Sequence, residues 1–336
     1  MKQGAGIKAT IAGAAMIGVA GVAALRVNGS RVRNRSGGAQ MPPTEAEGLI
    51  HHHLPTGDGG RLHVVEIGQG RPVVLLHGVV LQWWIWSDLM RLLSRRYRVL
   101  AWDMRGHGDS VAGADGVTME ATADDLALLL TALDVTDAVV VGHSMGGMTL
   151  GVMADRALDL MTDRVAGLVF VGSSASLRTA SLLRGGIANL SPLLRALGQA
   201  WLRWPPLAYA WRPNDISTGM ITMAFGTEPT ADMIEDVRKM AASVPTETLA
   251  EAGQSLASYD GRAALTKVRL ETEIVVGDHD KLTPPEHAYE LARLIAGSRL
   301  TVLAGIGHQV MQERPEALSD AIHRLDERLA PASQRA

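Results

Sequence analysis

Cysteine is absent from the 336 residues, which removes disulfides, thiolate nucleophiles and cysteine-held metals together and leaves the redox compartment unreadable. An excess of one charge is lacking too. The 32 Lys and Arg stand against 35 Asp and Glu, a net −3, so no basic surplus recruits nucleic acid and no such partner is expected. Phenylalanine occurs twice, against seven Trp. Long apolar runs are scarce as well, and the one near the start is a marginal membrane span. Residues 9–25 are uncharged and rich in Ala, Gly, Val and Ile; as a helix they reach about 25 Å at ~1.5 Å per residue, short of a ~30 Å hydrocarbon core unless flanking side chains snorkel.

Three readings fit that segment: a membrane anchor, a cleavable export signal ending near Val22, Ala23 and Ala24, and a helix lying on a surface. Membrane association through residues 9–25 is the first expectation, and export after cleavage the alternative. Lys2 and Lys8 precede the run and Arg26, Arg31, Arg33 and Arg35 follow it, a bias that favours leaving the rest of the chain in the cytoplasm. Gly, Ser and dispersed Arg over residues 28–40 read as a linker. Residues 1–47 are thus set apart from the fold.

What is present, at 47% hydrophobic and 20% charged residues, is a globular chain with ample length for a core. Residues 48–54 and 61–67 read as a hairpin across Thr56-Gly57-Asp58-Gly59-Gly60. His51, His52 and His53 fall on the first strand. Neighbours on a strand point to opposite faces, so the three cannot converge on one ion, and no metal or other cofactor is expected. Buried strands at 72–76, 98–102, 139–141 and 165–171 alternate with helical segments, including residues 119–133. That alternation implies an α/β fold with a mostly parallel sheet covered on both faces. It stops at residues 174–270, where helical pieces are punctuated by Pro192, Pro205, Pro206, Pro213, Pro229 and Pro245. It resumes with strands at 273–276 and 299–303 and an amphipathic helix at 315–329. The resulting units are a core in two parts, residues 48–173 and 271–330, and a helical cap insertion, residues 174–270.

The centre of the chain is VVVGHSMGGMTL, residues 139–150. A β-branched strand breaks at Gly142 into a helix with Ser144 at the break, and Gly142 and Gly146 let strand and helix cross tightly enough to hold the serine in a strained conformation. The N–H of Met145 then lies at a helix N-terminus, where negative charge is favoured. A serine hydroxyl needs a neighbouring imidazole to take its proton, and the imidazole needs a carboxylate to fix its tautomer. Both follow later strands, in Gly277-Asp278-His279-Asp280 and in Gly305-Ile306-Gly307-His308. Asp278 competes with Asp280 as the acid, and His279 or His107 with His308 as the base.

With His77-Gly78 followed by Trp86, Asp103 to Ser110 (D-x-R-G-H-G-x-S), GHSMGG at 142–147, G-x-x-D-x-x-x-P at 277–284 and G-x-G-H at 305–308, the chain resembles the α/β-hydrolase fold superfamily over residues 48–329. The resemblance implies Ser144 as nucleophile, His308 as base, Asp280 as its orienting acid, and the Val79 and Met145 N–H groups as oxyanion donors. It favours Asp280 over Asp278, because the family carboxylate sits three residues after the glycine, and His308 over His279 and His107, because the base sits in the last loop. No carboxylate follows the strand ending at Val171. His77 and the loop of residues 103–110 are expected to be structural. Epoxide hydrolases and haloalkane dehalogenases of the same superfamily carry aspartate at the elbow, which Ser144 argues against.

The expected reaction is hydrolysis of a carboxylic ester, as in serine esterases and lipases, with a small-molecule ester or lipid as substrate. Perhydrolysis (cofactor-free haloperoxidases), thioester hydrolysis and carbon–carbon bond hydrolysis use the same triad, and a slow-turnover ligand sensor keeps the same fold. The seven Trp lie at residues 83, 84, 86, 102, 201, 204 and 211, where the superfamily builds its pocket wall and cap. An apolar acyl or alcohol pocket lined by Trp83, Trp86, Trp201 and Trp204 is the corresponding expectation.

Overall fold

The computed structural model describes residues 40–177 and 215–330, together with Val32. The segment expected to meet a membrane lies outside them, as do Trp201, Trp204 and Trp211. No helix among the described residues is long and apolar enough to cross a membrane.

Eight strands form one sheet: β1 (Ile50–Pro55), β2 (Arg61–Ile67), β3 (Arg71–Leu76), β4 (Tyr97–Asp103), β5 (Ala138–His143), β6 (Val165–Val171), β7 (Glu271–Gly277) and β8 (Arg299–Leu303). Their order across the sheet is β1-β2-β4-β3-β5-β6-β7-β8. The pairings β1/β2 and β2/β4 are antiparallel and all others parallel. Edge strand β1 alternates in exposure, with His52 reaching Glu66 on one face while His51 and His53 flank His63 on the other. The central strands are runs of Val and Leu because both their faces are covered. Alternate residues divide between two cores: Val74, Leu76 and Val140 go to one, Val73, Leu75, Val139 and Val141 to the other.

The covering helices of the core, in chain order, begin with α1 (Ser87–Leu93), α2 (Met119–Ala132), α3 (Met145–Arg156) and α4 (Leu158–Arg164). The described part of the insertion is helical, as its proline-broken sequence implies: α5 (Asp215–Thr222), α6 (Ala231–Ser243), α7 (Thr246–Ser258) and α8 (Arg262–Leu265). The chain ends with α9 (Pro285–Leu294), α10 (Val310–Glu313) and α11 (Pro315–Leu329). Start signals are local. Thr118 and Thr230 cap α2 and α6 through their side chains, and proline opens α9 and α11, where its missing N–H costs nothing.

From β3 the chain passes to β4 on one side, then crosses to β5 on the other. The carboxyl ends of β3 and β5 therefore border the crevice where strand order reverses, the usual ligand position in an open α/β sheet. Leu76 pairs with Gly142, so the turn after β3 and Ser144 after β5 leave the sheet side by side.

Candidate active site

Ser144 has φ 52° and ψ −116°, a conformation that a side chain disfavours and only a tightly determined surrounding sustains. Its N–H donates to Val171 O at 3.0 Å, and its carbonyl accepts from Gly147 N, Met148 N and Ser173 Oγ. The glycines answer to space. A Cβ on Gly142 would lie 2.6 Å from the Gly146 backbone, and one on Gly146 2.5 Å from Leu76 O. Beside the elbow, a Cβ on Gly78 would meet the Ser144 Cβ at 3.0 Å.

The turn after β3 closes with Leu81 N–H on Gly78 O at 3.3 Å and forces Val80 to φ 65°. For a β-branched residue this is a strained position, a feature that clusters at working sites. His77 holds the turn. Its Nε2 accepts from Met104 N at 2.9 Å, which places the ring proton on Nδ1, and that proton is donated to Gly78 O at 2.7 Å. Burial, with His107 nearby, pushes the His77 pKa down to about 4, so the ring stays neutral and this tautomer persists near pH 7. Asp103 anchors the following segment by accepting Trp83 N–H at 2.9 Å, while its other oxygen accepts from His63 Nδ1. Among the described residues, neither the Val79 nor the Met145 N–H is donated to a protein acceptor.

Of the two aspartates after β7, Asp280 meets the histidine: its Oδ2 lies 2.8 Å from His308 Nδ1. Oδ2 also accepts from Thr283 Oγ1, and Oδ1 accepts the Leu282 and Thr283 N–H groups, each at 2.9 Å. Burial alone would raise this carboxyl. The adjoining His308 ring and these hydrogen bonds outweigh it and hold Asp280 below the usual carboxylate range. An ionised Asp280 keeps the His308 proton on Nδ1 and leaves Nε2 as a lone pair. Asp278 instead fastens the two loops together, accepting Gly305 N–H at 2.7 Å.

His143, directly before Ser144, lies beneath His308. The ring centroids are 4.6 Å apart, and His143 Nε2 donates to His308 O at 3.0 Å. Burial and the neighbouring His308 hold the His143 pKa far below its ordinary value. Trp86, expected at the pocket wall, is wholly buried with its ring edge against His143; the short helical turn Trp83–Trp86 points it into the core. Trp83 is half-buried and sets its edge against His51 and His63. The Ser144 hydroxyl and the His308 ring are not hydrogen-bonded in this structure. What places their loops together is Gly172, whose added Cβ would lie 3.1 Å from Asp280 Oδ2 and 3.2 Å from His308 Nδ1, one residue beyond the carbonyl that holds Ser144 N–H.

A family model described as Alpha/beta hydrolase family matches residues 73–321. The chain belongs to that family. This alpha/beta hydrolase is 26% identical over 287 residues to AB hydrolase superfamily protein YisY of Bacillus subtilis, covering 81% of this chain and 97% of the relative. It is 29% identical to a non-heme haloperoxidase of Rhodococcus erythropolis, covering 75% and 90%. Among solved structures, a thermophilic esterase from Thermogutta terrifontis matches with a TM-score of 0.68 at 28% identity, covering 84% of this chain and 100% of that one.

His77 has the structural role its place in the sequence implied, holding the turn after β3, whereas sequence reading missed His143 and the strain at Val80. The x of G-x-S-x-G and a Val inside a loop carry no signal by type; only packing reveals them.

Proposed function

We propose that the protein is a serine hydrolase acting on carboxylic esters, with Ser144 as nucleophile, His308 as general base and Asp280 as the carboxylate that orients it. The observation that carries the reading is the buried Asp280–His308 hydrogen bond, set at the same carboxyl end of the parallel strands as the strained Ser144. In this reading His308 Nε2 takes the Ser144 proton as Oγ attacks the ester carbonyl. The tetrahedral oxyanion is met by the Val79 and Met145 N–H groups, each worth about 10²- to 10³-fold in rate. Collapse expels the alcohol, which takes the proton from His308. Water, deprotonated by the same ring, then releases the acid. The hydrogen bond between Ser144 and His308 forms around substrate in this reading, as catalytic hydrogen bonds often do.

Apolar acyl or alcohol groups are the proposed specificity, supported by half-buried Val79 and Val80 in the turn beside Ser144. A second reading, perhydrolysis, is favoured by the similarity to the non-heme haloperoxidase: hydrogen peroxide replaces water at the acyl-enzyme and leaves as a peracid. The deciding experiment is turnover of p-nitrophenyl butyrate with fluorophosphonate labelling. Multiple turnovers and an adduct on Ser144, both abolished in Ser144→Ala, are expected. Turnover that survives Ser144→Ala overturns the assignment. A strict preference for the acetate ester over longer acyl chains overturns the apolar pocket, and a faster reaction of the acyl-enzyme with peroxide than with water selects the second reading.

A further inference from the structure

We propose that Glu313 is a positioning residue for this reaction: its carboxylate clamps the turn that carries His308 onto the cap segment of residues 224–227. The inference rests on His308 being the base proposed above. Glu313 closes α10, five residues past His308, and its two oxygens serve two different segments. Oε2 accepts Gly226 N–H from the cap at 2.8 Å, and Oε1 accepts Gly307 N–H, next to His308, at 3.0 Å. The same two segments are joined by Thr227 N–H on Gly305 O at 2.9 Å and by His308 N–H on Ala224 O at 2.8 Å.

They also pack backbone on backbone. A Cβ on Gly226 would stand 2.0 Å from Gly305 O, and one on Gly307 would stand 2.3 Å from the Phe225 carbonyl carbon. Only glycine allows the two amides to come close enough to share one carboxylate. Burial raises the Glu313 pKa to about 7 against the pull of its backbone donors, so the carboxylate is held there at a cost in stability. The Gln309 N–H at the start of α10 also leans on this carboxylate, but tying down α10 does not need the Gly226 contact. Setting the height of the His308 turn against the cap does, because a general base must be placed within fractions of an ångström and a displacement of about 1 Å costs on the order of 10²-fold.

Glu313→Gln tests this, because the amide keeps the shape but supplies one acceptor where two are needed. Wild type, Ser144→Ala and Glu313→Gln are compared on p-nitrophenyl butyrate well below their melting temperatures, with amide hydrogen exchange followed at Gly226 and Gly307. The expected result is a kcat about 10-fold or more below wild type with KM within twofold, and faster exchange at both glycines together. A purely structural role would lower Tm and leave kcat of the folded enzyme unchanged; Glu313→Gln within twofold of the wild-type kcat overturns the proposal. If wild type itself shows no Ser144-dependent turnover, the hydrolase reading fails, and the exchange arm then decides the clamp: joint acceleration supports it, and no change at either glycine overturns it. If the variant does not fold, wild-type exchange decides. Matched protection of Gly226 and Gly307 supports one shared acceptor, and unequal protection overturns it.

Discussion

At the scale of single residues, Asp280 offers the sharpest prediction, because its four hydrogen bonds determine which atom an amide would put where. Oδ1 faces two backbone N–H donors, so in Asp280→Asn the carbonyl oxygen stays on that side. The new NH2 then replaces Oδ2 and faces His308 Nδ1. Nδ1 must become the acceptor, the ring proton moves to Nε2, and the proposed base presents the wrong face to Ser144. A loss in kcat of about 10³- to 10⁴-fold with little change in Tm is expected. A loss under tenfold would show that His308 is not working through this contact. Ser144, Asp280 and His308 stand out in the sequence as candidates because each is a chemically distinctive type one to three residues past a glycine after a strand. Trp86 misled because aromatic residues serve cores and pockets alike; nothing in its own type distinguishes a ring facing substrate from one packed under His143. Glu313 was silent for the opposite reason. Its partners are backbone amides, and sequence does not say which amides will converge.

At the scale of elements, the order of strands and helices was readable because buried parallel strands are runs of Val, Leu and Ile, and the breaks fall at glycine and proline. The hairpin of β1 and β2, the parallel strands and α2 all lie where their periodicity puts them. Helix α9 was not read, since it begins at consecutive prolines that signal a turn as readily as a helix start. The junction of β5 and α3 is where element geometry is under most constraint. In Gly146→Ala the added Cβ would stand 2.5 Å from Leu76 O and 2.9 Å from His77 O, backbone atoms held by the β3/β5 pairing that cannot swing aside. A destabilisation of about 3 kcal/mol is expected, with ester turnover lost alongside. Gly253 is the internal control, because it lies inside α7 and its added Cβ meets nothing within 4 Å. There the same substitution should stabilise by about 0.5–1 kcal/mol through helix propensity. Chemical denaturation of the two variants checks both signs, and equal effects would mean that the close crossing at the elbow is not what the glycine is for.

At the scale of the whole molecule, the buried histidines govern how stability responds to acid. His77, His107 and His143 are all depressed below 6.5, first by burial. Between pH 6.5 and the folded-state values, the unfolded chain binds more protons than the native one at these sites, so stability is full above about 6.5 and drains away as pH falls. For His77, with a folded value of about 4, the limiting contribution is about 3 kcal/mol at ~1.4 kcal/mol per unit. Glu313 acts in the opposite sense. Its carboxyl is raised from 4.5 to about 7, so its contribution is full below about 4.5 and is lost as pH rises toward 7. Asp280, depressed, adds stability that disappears only below about its unfolded value of 3.8. His51 is depressed as well, and Asp88, Asp125 and Asp236, raised by burial, oppose the histidines beside Glu313; the wide displacement of His77 and His143 outweighs them, and Tm should fall as pH is lowered from 6.5 to 4. Removing one opposing group should steepen the decline, so Glu313→Gln should lose more Tm than wild type over the same interval. Melting curves at several pH values across that range check both statements. A wild-type Tm that is flat or rising from pH 6.5 to 5 would mean that the buried imidazoles find protons or water without unfolding, and that the packing around His77 and His143 is looser than their burial implies.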